Sequence, residues 1–431
     1  MATVVRTAQN IPWWKEPTKD QWFAFLAAWL GWMLDAFDFT VFLLIMVPIA
    51  KYFHVSLLDV TAVFAITLWM RLIGGVAAGW LADRIGRKTP LMVSIAWYSV
   101  CNLLAGLAPS FMVLFLFRAL LGIGMGAEWP AGAALAMENW PARSRGIMSG
   151  VLQQSWPLGF LLSSGIYGLF YNSIGWRGLL IIGILPALSI IFIFFVVKES
   201  PISIENRRKQ RELRHQFKAP LFELFKPKLL ANTVTAWIWL GSAFVIYYTV
   251  YGLFATHLEK DLHYSPGLVA LPIVLSNAVA FVCGPFWGWV SDRIGRRWGI
   301  IIPGAIGAVV TPFYLFPSSY AMAAAAFAIQ GAFAGSIYGQ QPSYLSERFP
   351  TEVRATAGGL CYQGAGFWGA LTGPLLTAWA IGLPGGFAMP MLYATIGASV
   401  VLVVVLLFGP ETKGKVLIAE PELVAAHAVE L

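Results

Sequence analysis

Long apolar stretches separated by short polar ones divide the chain into twelve segments. They are predicted as helices over 21 to 50, 59 to 82, 89 to 108, 111 to 137, 146 to 171 and 178 to 197, then 229 to 256, 266 to 290, 298 to 316, 320 to 346, 355 to 381 and 387 to 409. A bilayer crossing by helix needs about 20 mostly apolar residues, so each segment is a candidate span. The first apolar run begins near Gln21, after a polar leader holding Pro12, Trp13, Trp14 and Lys15. It is too long for the apolar core of a cleavable signal and reads as a genuine first span. The expected organisation is a tail over 1–20, a six-span bundle over 21–197, a linker over 198–228, a second bundle over 229–409 and a tail over 410–431.

An internal repeat at an offset of 209 residues joins the two bundles. Gly79-Trp-Leu-Ala-Asp83-Arg84-Ile-Gly86-Arg87-Lys88 returns as Gly288-Trp-Val-Ser-Asp292-Arg293-Ile-Gly295-Arg296-Arg297. The same shift carries Gly122 and Gly126 onto Gly331 and Gly335, Glu138 onto Glu347, Pro141 onto Pro350, Arg145 onto Arg354 and Gln154 onto Gln363. Six spans per half is an even number, so the copies keep one orientation and are parallel repeats about an axis along the membrane normal.

Composition agrees, and charge adds direction. The chain is 58% hydrophobic and 12% charged, with mean hydropathy +0.71, far from soluble averages. Of 29 Lys and Arg, 24 fall in the tails, the linker and the loops on one face. Only Lys51, Arg177 and Lys260 lie on the other face, while Arg71 and Arg118 lie inside spans. By the positive-inside rule both termini are expected in the cytoplasm. The net charge of +8 is thus a topology signal with anionic headgroups as partner, and no nucleic-acid partner is expected. Cys101, Cys283 and Cys361 are isolated in apolar segments and offer no metal or redox spacing. No cofactor is expected. The linker carries Arg207, Arg208, Lys209, Arg211, Glu212 and Arg214 and reads as solvated, with room for an amphipathic stretch on the membrane surface.

The paired loops and the Arg118-x-x-x-Gly122-x-Gly124-x-Gly126 run resemble signature motifs of the major facilitator superfamily over nearly the whole chain. The resemblance implies an all-α fold of twelve transmembrane helices in two six-helix bundles, working as a monomer. Gly79 and Gly288 permit close helix approach, and Asp83 and Asp292 can accept backbone N–H groups at helix ends or pair with Arg145 or Arg354 across the loop. A cytoplasmic gate is expected from Gly79, Asp83, Arg84, Gly86, Arg87, Glu138 and Arg145 with Asp292, Arg293, Gly295, Arg296, Glu347 and Arg354. The alternative is that these charges only fix topology.

Ionisable residues inside spans are costly and mark candidate sites. They occur only in the first half: Asp35 and Asp38, Arg71, Arg118 and Glu128. Asp35 and Asp38 are three apart on one helical face, and two such carboxylates repel, which suits proton carriage. Glu128 joins them as a proton-coupling candidate. Arg71, at mid-membrane, and Arg118, in the outer part of the fourth span, can grip a substrate carboxylate through a bidentate fork. The structural alternative is a pair of staples, Asp38 with Arg118 and Glu128 with Arg71. Gln154, Tyr251, Tyr362 and Gln363 are weaker substrate-binding candidates, because polar residues in spans also serve as interhelical glue. His257 reads as an interfacial histidine.

Trp29-Leu-Gly-Trp-Met-Leu-Asp35-Ala-Phe-Asp38-Phe, Arg71-Leu-Ile-Gly-Gly, the Arg118 to Glu128 run, Glu138-Asn-Trp-Pro and the Gly175 to Pro186 run are similar to the sialate/proton symporter family. That resemblance implies import of an organic monocarboxylate with protons, such as lactate, pyruvate or a sialic-acid-like sugar acid, through an inner membrane. Sialic acid members of that family carry an extra pair of helices for which the linker here leaves no room. Tyr247, Tyr248 and Tyr251 replace a polar stretch in the seventh span. Both departures favour a small carboxylate. A proton-driven exporter of metabolites or drugs is the alternative, and a receptor or enzyme lacks any motif to support it.

Overall fold

The structure is a computed structural model that describes residues 12–212, 220–382 and 385–417. Arg214 and the outer parts of both tails lie outside the described residues. Every element in the described residues is helical. Nine spans pass as single crossings: Lys19–Phe53, Leu57–Ile85, Lys88–Gly106, Phe111–Asn139, Pro227–Lys260, Pro266–Ile294, Arg296–Leu315, Tyr320–Arg348 and Ala388–Leu407. Their starts obey local chemistry. Thr18 and Gln21 form a reciprocal capping box on the first helix and Ser56 and Asp59 on the second, so orphan N–H groups are met before the chain enters lipid.

The other three spans are interrupted, which a uniform apolar pattern did not foretell. Helix Arg145–Gln153 stops at Gln154 and restarts as Ser155–Ile182, whose path is broken at Gly175 by a φ of 64° between the fifth and sixth spans. The sixth span then bends by 42° through a 3₁₀ turn at Leu185–Ala187, where Pro186 removes a backbone donor, and ends as Leu188–Val196. The eleventh runs Arg354–Gly358, a π turn at Gly359–Gln363, and Gly364–Gly382. The tenth also holds a 3₁₀ turn, Ser336–Gln340.

Large apolar side chains face outward where lipid belongs, as at Phe195, 78% exposed, and Ile381, 80% exposed. In the linker, helix Pro201–Glu212 buries Ser203, Asn206 and Gln210 while Ile204 is exposed. It docks on the protein through polar groups rather than lying on lipid through an apolar face. The halves meet where glycines remove the Cβ. A side chain at Gly79 would strike the backbone of the eleventh span and one at Gly75 the Gln363 side chain there, and one at Gly288 or Gly284 would meet the fifth. These close approaches lie toward the end of the bundle that carries the duplicated loops.

Candidate functional site

Between the halves lies a cavity of about 100 Å³, lined from the first half by Trp32, Phe39, Leu68, Arg71, Gln153, Gln154, Trp156 and Pro157. The second half contributes Phe244, Tyr247, Tyr248, Tyr251, Asn277, Ala280, Gly335, Tyr338, Tyr362, Gln363 and Gly366. Arg71 is the one charged side chain among them. Its position follows from the fourth span: a Cβ at Gly126 would run into the backbone of Arg71, and one at Gly122 into that of Thr67. The glycine run therefore seats the second span and aims the arginine inward. Gln154 and Gln363, repeat mates, stand at the breaks of the fifth and eleventh helices, where the disturbed helical ladder turns an amide toward the cavity.

The first-half charges do not form the staples of the structural alternative, Asp38 with Arg118 and Glu128 with Arg71. Arg71 Nη2 donates to Asp35 Oδ2 at 2.7 Å, and its guanidinium lies 5.9 Å from the ring centres of both Trp32 and Trp156. Asp35 Oδ1 has no hydrogen-bond partner. Asp38 is joined to Arg118 only through Asn102, which donates to Asp38 Oδ1 at 3.0 Å and accepts from Arg118 at 3.3 Å. Arg118 is fully buried, stacks on Phe42 at 4.1 Å, and does not line the cavity, so its expected place beside the substrate is not the one it occupies. Both oxygens of Glu128 lack partners, and the carboxylate packs where a Cβ on Gly31 would sit. Asn102 was missed in the sequence; a lone amide amid the apolar third span was its only signal.

One layer toward the loops, the cavity has a floor. Trp129 stacks on Tyr362 at 3.7 Å with planes 11° apart, and its indole N–H donates to Gln153 Oε1 at 3.3 Å. Gln153 in turn donates to Gln341 at 3.5 Å and Gln363 to the carbonyl of Gly126 at 3.2 Å. First-half groups thus meet second-half groups across the path. Trp129 shows no repeat signature, so nothing in the sequence set it apart.

Beyond the floor, the duplicated loops lock crosswise. Asp83 accepts from the backbone of Ala355 at 3.1 Å and Thr356 at 2.8 Å, and Asp292 from Gly146 at 2.9 Å and Ile147 at 3.0 Å. Each carboxylate caps a helix start in the opposite half, which satisfies orphan donors and the helix dipole. Arg145 and Arg354 do not pair with these aspartates: they bridge the halves to Glu347 at 3.0 Å and Glu138 at 2.7 Å. Glu138 also holds Arg87 at 2.9 Å and Glu347 holds Arg296 at 3.0 Å. Burial opposes the charge of Arg87, but Glu138 and Asp83 beside it outweigh that and keep its pKa above the ordinary arginine value. Gly86 and Gly295 turn the chain out of the helix with φ of 108° and 117°, conformations that favour glycine. Arg84 and Arg293 stay outside the lock, lying over Trp80 and Trp289.

Two acids unnoticed in the sequence complete the lock. Glu199 caps the backbone N–H groups of Arg87 at 2.9 Å and Lys88 at 3.1 Å, and Glu411 those of Arg296 at 2.8 Å and Arg297 at 3.2 Å. Their neighbours Ser200 and Thr412 each donate at 2.7 Å to Glu138 and Glu347. These mates are 212 residues apart, three more than the repeat offset, which hid them. Far from this face, His257 bridges Asp261 at 2.7 Å and the carbonyl of Leu315 at 3.0 Å, a buried tie between helix ends.

A model of the Major Facilitator Superfamily matches residues 28–256 and 242–429. A probable 4-methylmuconolactone transporter of Cupriavidus pinatubonensis is 32% identical over 361 residues, covering 81% of this chain and 82% of that protein. The sialic acid transporter NanX of Escherichia coli is 26% identical over 411 residues, 94% of this chain and 97% of that protein. That match extends over nearly the whole of NanX, so the short linker alone does not separate this chain from a sialic acid carrier. Among solved structures, the major facilitator proton:xylose symporter XylE, bound to 6-bromo-6-deoxy-D-glucose, has a TM-score of 0.77 at 20% identity, covering 94% of this chain and 98% of that one.

Proposed function

The chain belongs to the Major Facilitator Superfamily, a multi-pass membrane transporter by fold, and we propose that it imports an organic carboxylate together with protons by alternating access. The loop face and both termini lie in the cytoplasm of a cell with an inner membrane, and the state described is the one closed on that side. One observation carries the reading: a cavity between the halves whose sole charged lining group is an arginine, tied to a single carboxylate through one nitrogen. Relatives named for a muconolactone and for sialic acid agree with a substrate of that kind.

Arg71 receives the substrate anion, Gln154 and Gln363 hold its polar remainder from the two repeat-related walls, and Tyr251 and Tyr362 pack against it. A substrate carboxylate on Arg71 competes with Asp35 for the same guanidinium. An ionised carboxylate stripped of its counter-ion inside the bundle is costly, so Asp35 is relieved by taking a proton. Asp38 and Glu128 extend the set of proton acceptors in the first half. Loading both ligands favours the state in which the loop-face lock releases, since a ligand shifts such an equilibrium only through differential affinity. A cation exporter is disfavoured because a fixed positive charge faces its path.

Purified protein in proteoliposomes, offered labelled acids with and without an inward proton gradient, tests this. The expected result is gradient-stimulated uptake of a carboxylate, reduced roughly 10–100-fold by Arg71→Gln through loss of charge-assisted hydrogen bonds. Uptake indifferent to both the gradient and Arg71 overturns the reading.

A further inference from the structure

Resting on the carboxylate cargo proposed above, we infer that Gln153 and Gln341 form a second anion subsite, a release station one layer below Arg71 that opens only when the loop-face lock parts. Their amides lie in the seam between the halves. Gln153 Nε2 donates to Gln341 Oε1 at 3.5 Å, and Gln153 Oε1 accepts from the Trp129 indole at 3.3 Å. Gln153 also lines the cavity that holds Arg71, whereas Gln341 is fully buried beneath it. The two amides therefore lead from the cavity wall into the closed floor, one from each half.

Gln341 keeps its amide nitrogen without a partner. Its own oxygen, on the same planar group, is bonded to Gln153 of the other half, so the free NH2 stands at the seam as well. A contact of 3.5 Å is at the outer limit for a hydrogen bond and contributes little to closure, while a buried donor left unmade is costly. Such an arrangement fastens the halves poorly and suits a donor that meets an anion once the seam opens. The floor lies between Arg71 and the loops, so an anion released to that side crosses it.

The subsite exists on one side of the seam only. The shift of 209 residues carries Gln153 onto Tyr362 and Gly132 onto Gln341. Where the fifth and tenth spans set two amides, the fourth and eleventh set a glycine and the stack of Trp129 on Tyr362. The floor is polar along one side and aromatic along the other, so the amides receive the carboxylate while the rings face the rest of the cargo. An amide donor carries no formal charge and holds a carboxylate less firmly than a guanidinium, which suits a station that the cargo must leave.

Transport by oriented proteoliposomes, saturated from each face in turn with labelled lactate, benzoate and sialic acid, tests this. Gln341→Met matches the side chain in length and removes the amide. For each acid carried, it should raise the half-saturation concentration from the cytoplasmic face at least about tenfold and leave the outer value within about twofold. Gln341→Asn, which keeps an amide, should lie nearer wild type. If Gln341 only fastens the halves, its loss favours the open cytoplasmic side and lowers the cytoplasmic value instead. A lowered or unchanged cytoplasmic value overturns the subsite and leaves a carboxylate carrier in place. Transport of none of the three acids by the wild-type protein strikes the carboxylate reading itself, and the subsite with it.

Discussion

Glu128 leaves both carboxylate oxygens without a hydrogen-bond partner, whereas Asp35 is committed to Arg71 and Asp38 to Asn102. Glu128→Gln therefore breaks no hydrogen bond to the protein and exchanges an ionisable group for a neutral amide, so thermal stability should hold or rise. If Glu128 carries the proton, accumulation driven by a pH gradient, about tenfold per pH unit for one proton per substrate, collapses toward one while exchange of substrate for substrate persists. Undiminished uphill accumulation would remove Glu128 from the proton path. Asp35→Asn makes a different prediction, because it also frees Arg71 from its competitor: apparent affinity for the substrate anion should increase while gradient-driven accumulation falls. Weaker anion binding in titrations of that variant would argue against competition at Arg71. At this scale the sequence was legible wherever charge met apolar context, since ionisable groups in a span stand out one by one. Asn102, Glu199 and Glu411 were not legible, because a neutral amide or a loop acid gains its meaning from a partner distant in sequence.

The helices divide into those their own sequences set and those their neighbours bend. Thr18, Ser56 and the apolar lengths after them suffice to start the first two spans. The π turn at Gly359–Gln363 is another matter: a Cβ at Gly359 would meet the carbonyl of Gly75, so the eleventh span is shaped against the second. Gly359→Leu should overpack that contact by about 1–3 kcal/mol and lower both the unfolding midpoint and uptake. Gly373→Leu, in the same span but with open space around it, should leave both near wild type. Equal effects of the two would mean that helix propensity, and not contact between halves, governs this span. The apolar pattern gave no warning of the breaks in spans five, six, ten and eleven, because a π or 3₁₀ turn changes which neighbours a residue meets without changing how apolar it is.

For the whole molecule, the ion pairs on the loop face are the contacts that must break for that side to open. Glu347 alone serves Arg145 from the opposite half and Arg296 from its own. Glu347→Ala strands the buried guanidinium of Arg145 and leaves Arg296 with Asp292 as its one carboxylate partner, and should weaken the closed state by about 3–5 kcal/mol, enough to move a two-state equilibrium by a factor of 100 or more. A cysteine placed at Ser149, buried where the halves meet, should then react with a maleimide faster than in the parent; an unchanged rate would mean that the aspartate caps hold the face shut without the ion pairs. The sequence by itself determined the membrane fold, the duplication and the confinement of intramembrane charge to the first half, because hydropathy, repeat offset and charge are local properties. Only the tertiary structure decided the pairings: Arg71 with Asp35, Asn102 between Asp38 and Arg118, Glu138 and Glu347 across the halves, and rings from five spans around one arginine. Those choices depend on distances between residues tens to hundreds of positions apart, and packing alone sets them.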